Sequence, residues 1–264
     1  MARCRADAAL VDAGLFASRE QAEAAILAGR VRVDGAPVIK AGADVSEGAV
    51  FEVEPTQEFV SRGGKKLAGA LDVFGMDVRG LRAFDVGAST GGFTDCLLQR
   101  GAASVTTVDV GYGQLAWKLR CDERVTVLER TNIRSVDGDL AGAPFSLAVI
   151  DVSFIGLEKV LPHVGSVLEP GGEIVALVKP QFEAGKERVG NRGVVRDTIV
   201  HKDVLRSVAG EAEAQGWLVT GMTWSPIKGP EGNIEFWMRL SRQGEAASVD
   251  AAEVVRAAHD ALGG

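Results

Sequence analysis

Arg82-Ala83-Phe84-Asp85-Val86-Gly87-Ala88-Ser89-Thr90-Gly91-Gly92-Phe93-Thr94 is an apolar run that breaks into glycines and small hydroxyl residues and then resumes with helical spacing. It reads as a strand, a nucleoside-sized or phosphate-sized loop and a helix start. Gly87, Gly91 and Gly92 open backbone conformations closed to other residues and let a ligand approach the main chain. The spacing is neither G-x-G-x-x-G nor G-x-x-x-x-G-K-[ST], so neither a dinucleotide nor a nucleoside triphosphate is the natural occupant. Asp85 discriminates further. A carboxylate at the strand end repels a pyrophosphate but accepts a hydrogen bond from a cationic amino group, such as the methionyl end of S-adenosylmethionine offers. About twenty residues on, Ser104-Val105-Thr106-Thr107-Val108-Asp109 reads as a second strand ending in an acid, where a ribose diol is gripped. The competing reading is an ordinary βαβ turn without a ligand.

Composition bounds the rest. The 264 residues, 46% of them hydrophobic, leave room for one large domain and a small one. Cys4, Cys96 and Cys121 are odd in number and lack C-x-x-C spacing, so neither a disulfide framework nor a zinc site is expected, and they suit a reducing cytoplasm. No apolar run approaches the roughly 18 to 20 residues of a membrane span, and Arg3, Arg5 and Asp7 sit where a secretory signal needs an apolar core. The expectation is a cytoplasmic protein that neither enters nor crosses a membrane. A net charge of −7 argues against a generic polyanion binder, so the location of the cations matters more than their total.

From the N-terminus, residues 6–15 have the apolar spacing of a short helix, and Ser18-Arg19-Glu20-Gln21 is a capping-box start for a second that stops at Gly29. Val31-Arg32-Val33, Asp34-Gly35 and Pro37-Val38 read as strand, turn and strand, with a further strand over residues 50–53. Asp7, Leu10-Val11, Gly14-Leu15, Ser18-Arg19, Ala22, Ile26, Gly29, Val31 and Val33-Asp34-Gly35 fall in register with an S4-type RNA-binding domain, which the segment resembles. The resemblance implies RNA contacts from its cations, among them Arg3, Arg5, Arg19 and Lys40. A small packing domain with solvated arginines is the alternative.

Pro55-Thr56-Gln57-Glu58 is a polar connector, so domains are expected at 1–58 and 59–264. Beyond it, residues 66–74 have helical spacing, and strand patterns (82–86, 104–109, 125–128, 147–151, 173–178) alternate with helical ones (95–100, 115–119, 157–168, 198–215). The last strands, 217–224 and 234–240, follow one another without a helix, and 251–262 forms a final helix. A doubly wound, Rossmann-like α/β sheet of seven mostly parallel strands is expected, with an antiparallel edge such as the class I methyltransferase variant of this sheet has.

Four polar residues lie at the end of an apolar strand or beside a helix start, where a buried charge is costly without a purpose: Lys66, Asp151, Lys179 and Glu235. The carboxyl ends of strands line the ligand crevice of such a sheet, so Asp151 and Lys179 are expected to face the cofactor, and the four can meet at one point. A ribose 2′-hydroxyl is a poor nucleophile. A lysine, ordinarily near 10.4, serves as its base once burial and a second cation lower it. Lys179 is the candidate base, Lys66 the second cation, and Asp151 and Glu235 the orienting acids. A structural ion-pair network is the alternative.

Ser61-Arg62-Gly63-Gly64-Lys65-Lys66-Leu67, the 85–94 loop, Asp109-Val110-Gly111-Tyr112-Gly113, Leu128-Glu129-Arg130-Thr131-Asn132, Asp151-Val152-Ser153-Phe154-Ile155, Val178-Lys179-Pro180-Gln181-Phe182-Glu183 and Gly232-Asn233-Ile234-Glu235 together resemble the TlyA (haemolysin A) family. That family joins an S4 domain to an FtsJ-type methyltransferase. The resemblance implies S-adenosylmethionine-dependent 2′-O-methylation of cytidine in 16S or 23S ribosomal RNA, by a monomer acting on ribosomal subunits without a metal. The FtsJ-type tetrad falls on Lys66, Asp151, Lys179 and Glu235. Cofactor contacts are implied for Asp85, Gly87, Ala88, Ser89, Gly91, Gly92, Phe93, Asp109, Thr131, Asn132 and Asp151. Further RNA contacts are implied for Arg62, Arg130, Arg134, Lys186, Arg188 and Arg192, the last three in a glycine-containing loop able to close over the target. A non-catalytic RNA-binding adaptor has no use for the tetrad, a pseudouridine synthase needs no cofactor loop, and a membrane-damaging haemolysin needs an apolar insertion segment that is missing.

Overall fold

The computed structural model describes residues 3–46, 48–54 and 58–263; the connector expected at 55–58 lies, except for Glu58, outside the described residues. The chain divides into two compact units, Met1–Gln57 and Glu58–Gly264.

In the first unit, β1 (Arg3–Arg5) precedes helices α1 (Ala6–Asp12) and α2 (Arg19–Leu27), and then β2 (Val31–Val33), β3 (Ala36–Pro37), β4 (Asp44–Ser46) and β5 (Phe51–Val53) follow. Ser18 Oγ accepts from Gln21 N–H at 3.3 Å and starts α2, a cap typically worth about 1 kcal/mol. The φ angles of Asp34 (51°) and Gly35 (79°) reverse the chain between β2 and β3 with the twist a hairpin needs. β2 is the centre of a three-stranded antiparallel sheet, β3-β2-β5, and β1 pairs with β4 in a separate ribbon. Leu10, Ala22, Ile26 and Val31 close its small core. The β1–β4 ribbon has no alternating apolar pattern, and sequence reading misses it.

The second unit runs α3 (Arg62–Val73), β6 (Arg82–Val86), α4 (Gly92–Gln99), β7 (Ser104–Val108), α5 (Trp117–Arg120), β8 (Val125–Leu128), α6 (Gly138–Ala141), β9 (Phe145–Ile150), α7 (Leu161–Gly165) and β10 (Leu168–Val178). It ends with α8 (Pro180–Glu183), α9 (Thr198–Ala214), β11 (Leu218–Trp224), β12 (Phe236–Ser241) and α10 (Ala251–Leu262). Its seven strands lie in the order β11-β12-β10-β9-β6-β7-β8, and β12 alone is antiparallel to its neighbours. The last strand therefore inserts between β10 and β11 and leaves β11 at the edge.

Both faces of the sheet are covered, so the strands are apolar on both sides, and their period of two sorts them. Phe84, Val86, Ala148, Ile150, Ala176 and Phe236 face one core, with residues of α7, α9 and α10. Ala83, Val105, Leu147, Val149, Val175, Leu177 and Trp237 face the other, under α3 and α4. α3 starts four residues before the expected 66 because Ser61 Oγ accepts from Gly63 N–H at 3.3 Å, and because a side chain at Gly64 would meet the Phe59 ring 2.2 Å away. The helix expected over 157–168 is a single 3-10 turn (Leu157–Lys159) and the short α7. Pro162 cannot donate to a helix continuing from that turn, and Leu168 already pairs with Phe145 as the first residue of β10.

Candidate active site

The period of two also assembles the site. Asp151 continues the alternation of Leu147 and Val149, Lys179 that of Val175 and Leu177, and Glu235 precedes Trp237 by two, all on the face that α3 covers and that Lys66 reaches. Lys66 Nζ lies 2.5 Å from Glu235 Oε2, with both side chains nearly buried, while Lys179 Nζ pairs with Asp151 Oδ1 and donates to Ser153 Oγ at 3.1 Å. The tetrad is thus two lysine–carboxylate pairs. A side chain at Gly229 would approach Glu235 Oε1 within 2.5 Å, so glycine makes room for that carboxylate. Removing one partner of a buried pair such as Lys66–Glu235 typically costs about 3–5 kcal/mol, because the other charge is stranded. All four residues border one cavity of about 420 Å³, with Ser153, Phe154, Gln181 and Phe182.

A second cavity of about 480 Å³ shares Asp151, Ser153 and Phe154 with the first and is bordered by Gly87, Ser89, Asp109, Thr131 and Asn132. A third, about 290 Å³, adds Ala88, Gly92, Phe93, Lys66 and Arg62. Gly87, at φ 86°, passes so close to β9 that a Cβ would lie 2.5 Å from the Asp151 carbonyl oxygen. Asp109 Oδ2 accepts from Ser89 N–H at 2.7 Å and Oδ1 from Gly111 N–H at 2.6 Å, which aims the carboxylate at the larger cavity. Asn132 caps the turn after β8, accepting from Arg134 N–H at 3.0 Å.

Asp85 and Gly91 line none of these cavities. Asp85 shares the face of Ala83 and is fully buried, where its Oδ2 accepts from Thr94 Oγ1 at 2.6 Å and its Oδ1 has no partner. Burial above all, with the Asp151 and Asp109 charges adding to it, pushes the Asp85 carboxyl up to about 7. Gly91, at φ 93°, starts α4, and a Cβ there would strike Leu119 at 2.3 Å, so it serves packing. Phe93 is 3% exposed and lies against Trp237, ring centroids 5.4 Å apart.

The expected RNA contacts are mixed. Arg5 and Arg19 both pair with the buried Asp7, at 2.8 and 3.2 Å, which holds that carboxyl well below its usual range. Arg3 and Lys40 are exposed. Arg62 donates to the Lys228 carbonyl at 2.7 Å, Arg134 to Asn132 Oδ1 at 3.4 Å, and Arg188 pairs with Asp203 at 2.6 Å. Arg130 lies over the Tyr112 ring, 4.1 Å from its centroid, and Lys186 and Arg192 are exposed. Phe154 is missed by sequence reading. It is 90% exposed at φ 64°, borders the cavity of the tetrad, and its ring centroid lies 4.8 Å from that of Phe182 with the rings tilted by 52°. An exposed aromatic held in a strained conformation beside charged groups is a signal that only geometry supplies.

Two family matches tile the chain: an S4 domain over residues 4–51 and an FtsJ-like methyltransferase over residues 59–242. The chain is 48% identical over 247 residues to a Mycobacterium tuberculosis protein named 16S/23S rRNA (cytidine-2'-O)-methyltransferase TlyA, covering 93% of this chain and 92% of that one. It is 39% identical to the Hemolysin A of Brachyspira hyodysenteriae, over 84% of this chain and 93% of that one. The solved structure of a "Putative hemolysin from Streptococcus thermophilus" superposes with a TM-score of 0.75 at 43% identity, covering 99% of this chain and 97% of that one.

Proposed function

Because the chain belongs to the TlyA family of FtsJ-like methyltransferases, with an S4 domain at its N-terminus, we propose that it methylates the 2′-oxygen of a cytidine in ribosomal RNA. The observation that carries this reading is the pair of lysine–carboxylate contacts bordering a cavity that shares Asp151 with a nucleoside-sized one. The donor is S-adenosylmethionine, which supplies an electrophilic methyl carbon when bound. The residues fit it. Asp109 keeps a lone pair on each oxygen for ribose hydroxyls, Thr131 and Asn132 border the same cavity, and about 480 Å³ accommodates a nucleoside.

Lys179 Nζ takes the proton of the 2′-hydroxyl. Asp151 and Ser153 fix the direction of Nζ, so the amine lone pair is aimed before the hydroxyl arrives. Lys66, neutralised by Glu235, contributes a donor to the developing alkoxide side of the cavity. Phe154 offers its free ring face to a base turned out of its helix, the usual way an enzyme reaches a nucleotide. The S4 domain binds rRNA through phosphates, with Arg3, Arg5, Arg19 and Lys40 as contacts, and in the second unit Arg62, Arg130, Arg134, Lys186, Arg188 and Arg192 contact RNA as well. The enzyme acts as a monomer on ribosomal subunits in the cytoplasm, and no helix among the described residues is long and apolar enough to cross a membrane.

The test is methyl transfer from labelled S-adenosylmethionine to 30S and 50S particles that lack the modification, with the product located by mass spectrometry. Lys179→Ala is expected to lower the rate by roughly 10²–10⁴-fold while leaving cofactor affinity nearly intact, the loss typical of a general base. A rate within about tenfold of wild type removes Lys179 from the role.

A further inference from the structure

We propose that Glu183 is a positioning residue for methyl transfer, acting through Leu157 to hold Ser153 and Phe154 against Lys179, a role that rests on the function proposed above. The segments 151–157 and 179–183 are joined at four points. Lys179 Nζ meets Asp151 Oδ1 and, at 3.1 Å, Ser153 Oγ; the Phe182 ring lies 4.8 Å from that of Phe154; and Glu183 Oε1 accepts from Leu157 N–H at 3.1 Å. The first three involve groups that touch or border the reacting site. The fourth does not, yet it closes the series.

The segment between Asp151 and Leu157 is pinned at its ends. Asp151 N–H donates to the Val86 carbonyl at 2.9 Å, and Leu157, 1% exposed, is held by the core and by Glu183. Between them Phe154 sits at φ 64°, which a phenylalanine keeps only where its surroundings impose it. Its 90% exposure shows that the core does not impose it. What remains is the Phe182 ring and the fixed ends. Without the Glu183 oxygen, the buried Leu157 N–H has no acceptor and the segment moves to find water. Ser153 Oγ then leaves Lys179, whose ammonium or amine loses one of its two orienting partners.

Burial pushes the Glu183 carboxyl up to about 7, helped by Glu158 of the 157–159 turn and Glu211 of α9 and opposed by the Leu157 hydrogen bond and by Lys159. Near neutral pH both the acid and the carboxylate are present, and either accepts from Leu157 N–H. Glutamine is therefore a faithful replacement, whereas alanine removes the acceptor and aspartate draws it back by one methylene.

The experiment compares Glu183→Ala, Glu183→Gln and Glu183→Asp with wild type for kcat and KM on ribosomal particles, cofactor Kd by calorimetry, and amide exchange over residues 152–157. E183A is expected to lower kcat by about tenfold or more, since sub-ångström misplacement of a catalytic group is costly. The fall in kcat exceeds any rise in KM or cofactor Kd, exchange over 152–157 quickens, and E183Q recovers most of the rate. If E183A does not fold, E183D decides, with a kcat loss of about threefold or more expected. Unchanged kcat in the variants overturns the role, as does an E183Q as slow as E183A, or a rate loss matched by equal losses of melting temperature and cofactor affinity. Wild type that labels neither particle refutes the methyl-transfer reading and this role with it; an active wild type equalled by E183A and E183D refutes this role alone.

Discussion

Asp109 holds two main-chain amides, Ser89 N–H and Gly111 N–H, with its two carboxylate oxygens, so its orientation is set before any ligand arrives. A ligand hydroxyl then meets an acceptor that pays no further ordering entropy. Asp109→Ala is expected to weaken S-adenosylmethionine binding by about 1–3 kcal/mol, the range for a hydrogen bond to a charged group. Calorimetry checks this, and an unchanged dissociation constant removes Asp109 from the cofactor site. Asp85 behaves differently because it lies two residues deeper: it pairs with Thr107 inside β6, whereas Asp109 follows the last residue of β7. On the same face of the sheet, it is turned toward Thr94 and under α4, so it supports the loop from below. An acid near a strand end is thus offered to ligand or hidden from it according to how far along the strand it stands, and the sequence alone does not fix where the strand stops.

At the scale of elements, α9 and α10 meet through two histidines. His201 Nε2 is 3.2 Å from the Val195 carbonyl and Nδ1 is 3.0 Å from His259 Nε2. A carbonyl can only accept, so the contact with Val195 assigns the proton to His201 Nε2 and leaves Nδ1 to accept from His259. Burial, and then the His259 neighbour, lower His201 to about 4 in the folded protein, against about 6.5 for an unperturbed histidine. The unfolded chain therefore binds the proton first. Stability contributed by neutral His201 is present above about 6.5 and is lost as pH falls toward 4. Urea unfolding between pH 7 and pH 5 is expected to show this decline, and His201→Gln to flatten it. An identical pH slope in the variant would show that other groups govern acid stability. The same helices cover the β12–β10 side of the sheet, and Val195 is further held by Asn233 Oδ1 at 2.9 Å, two residues before Glu235.

At the scale of the molecule, the proposed function assigns separable tasks to the two compact units, Met1–Gln57 and Glu58–Gly264. Removing residues 1–57 is expected to leave cofactor affinity unchanged and to lower methylation of ribosomal particles steeply, with the salt dependence of binding falling by about one unit of slope for each phosphate no longer held. A truncated protein as active on subunits as the full chain would show that targeting resides elsewhere. The seven strands and the longer helices of the second unit, the glycine loop, the S4 pattern and the four polar positions of the tetrad were legible in the sequence, because each is a local matter of period, turn chemistry or spacing, whereas the β1–β4 ribbon and the short α6 and α8 were not. The start of α3 and the break at 157–168 were not, since a packed Phe59 ring and the pairing of Leu168 with Phe145 bear on them from elsewhere in the chain. Tertiary structure alone joined Lys66 to Glu235 and Lys179 to Asp151, withdrew Asp85 and Gly91 from the cavities, and raised Phe154 to the surface beside the site. The physical reason is common to them. A residue's type and its parity along a strand are written locally, but which charge it faces, and how much water it keeps, depend on segments brought together from distant parts of the chain.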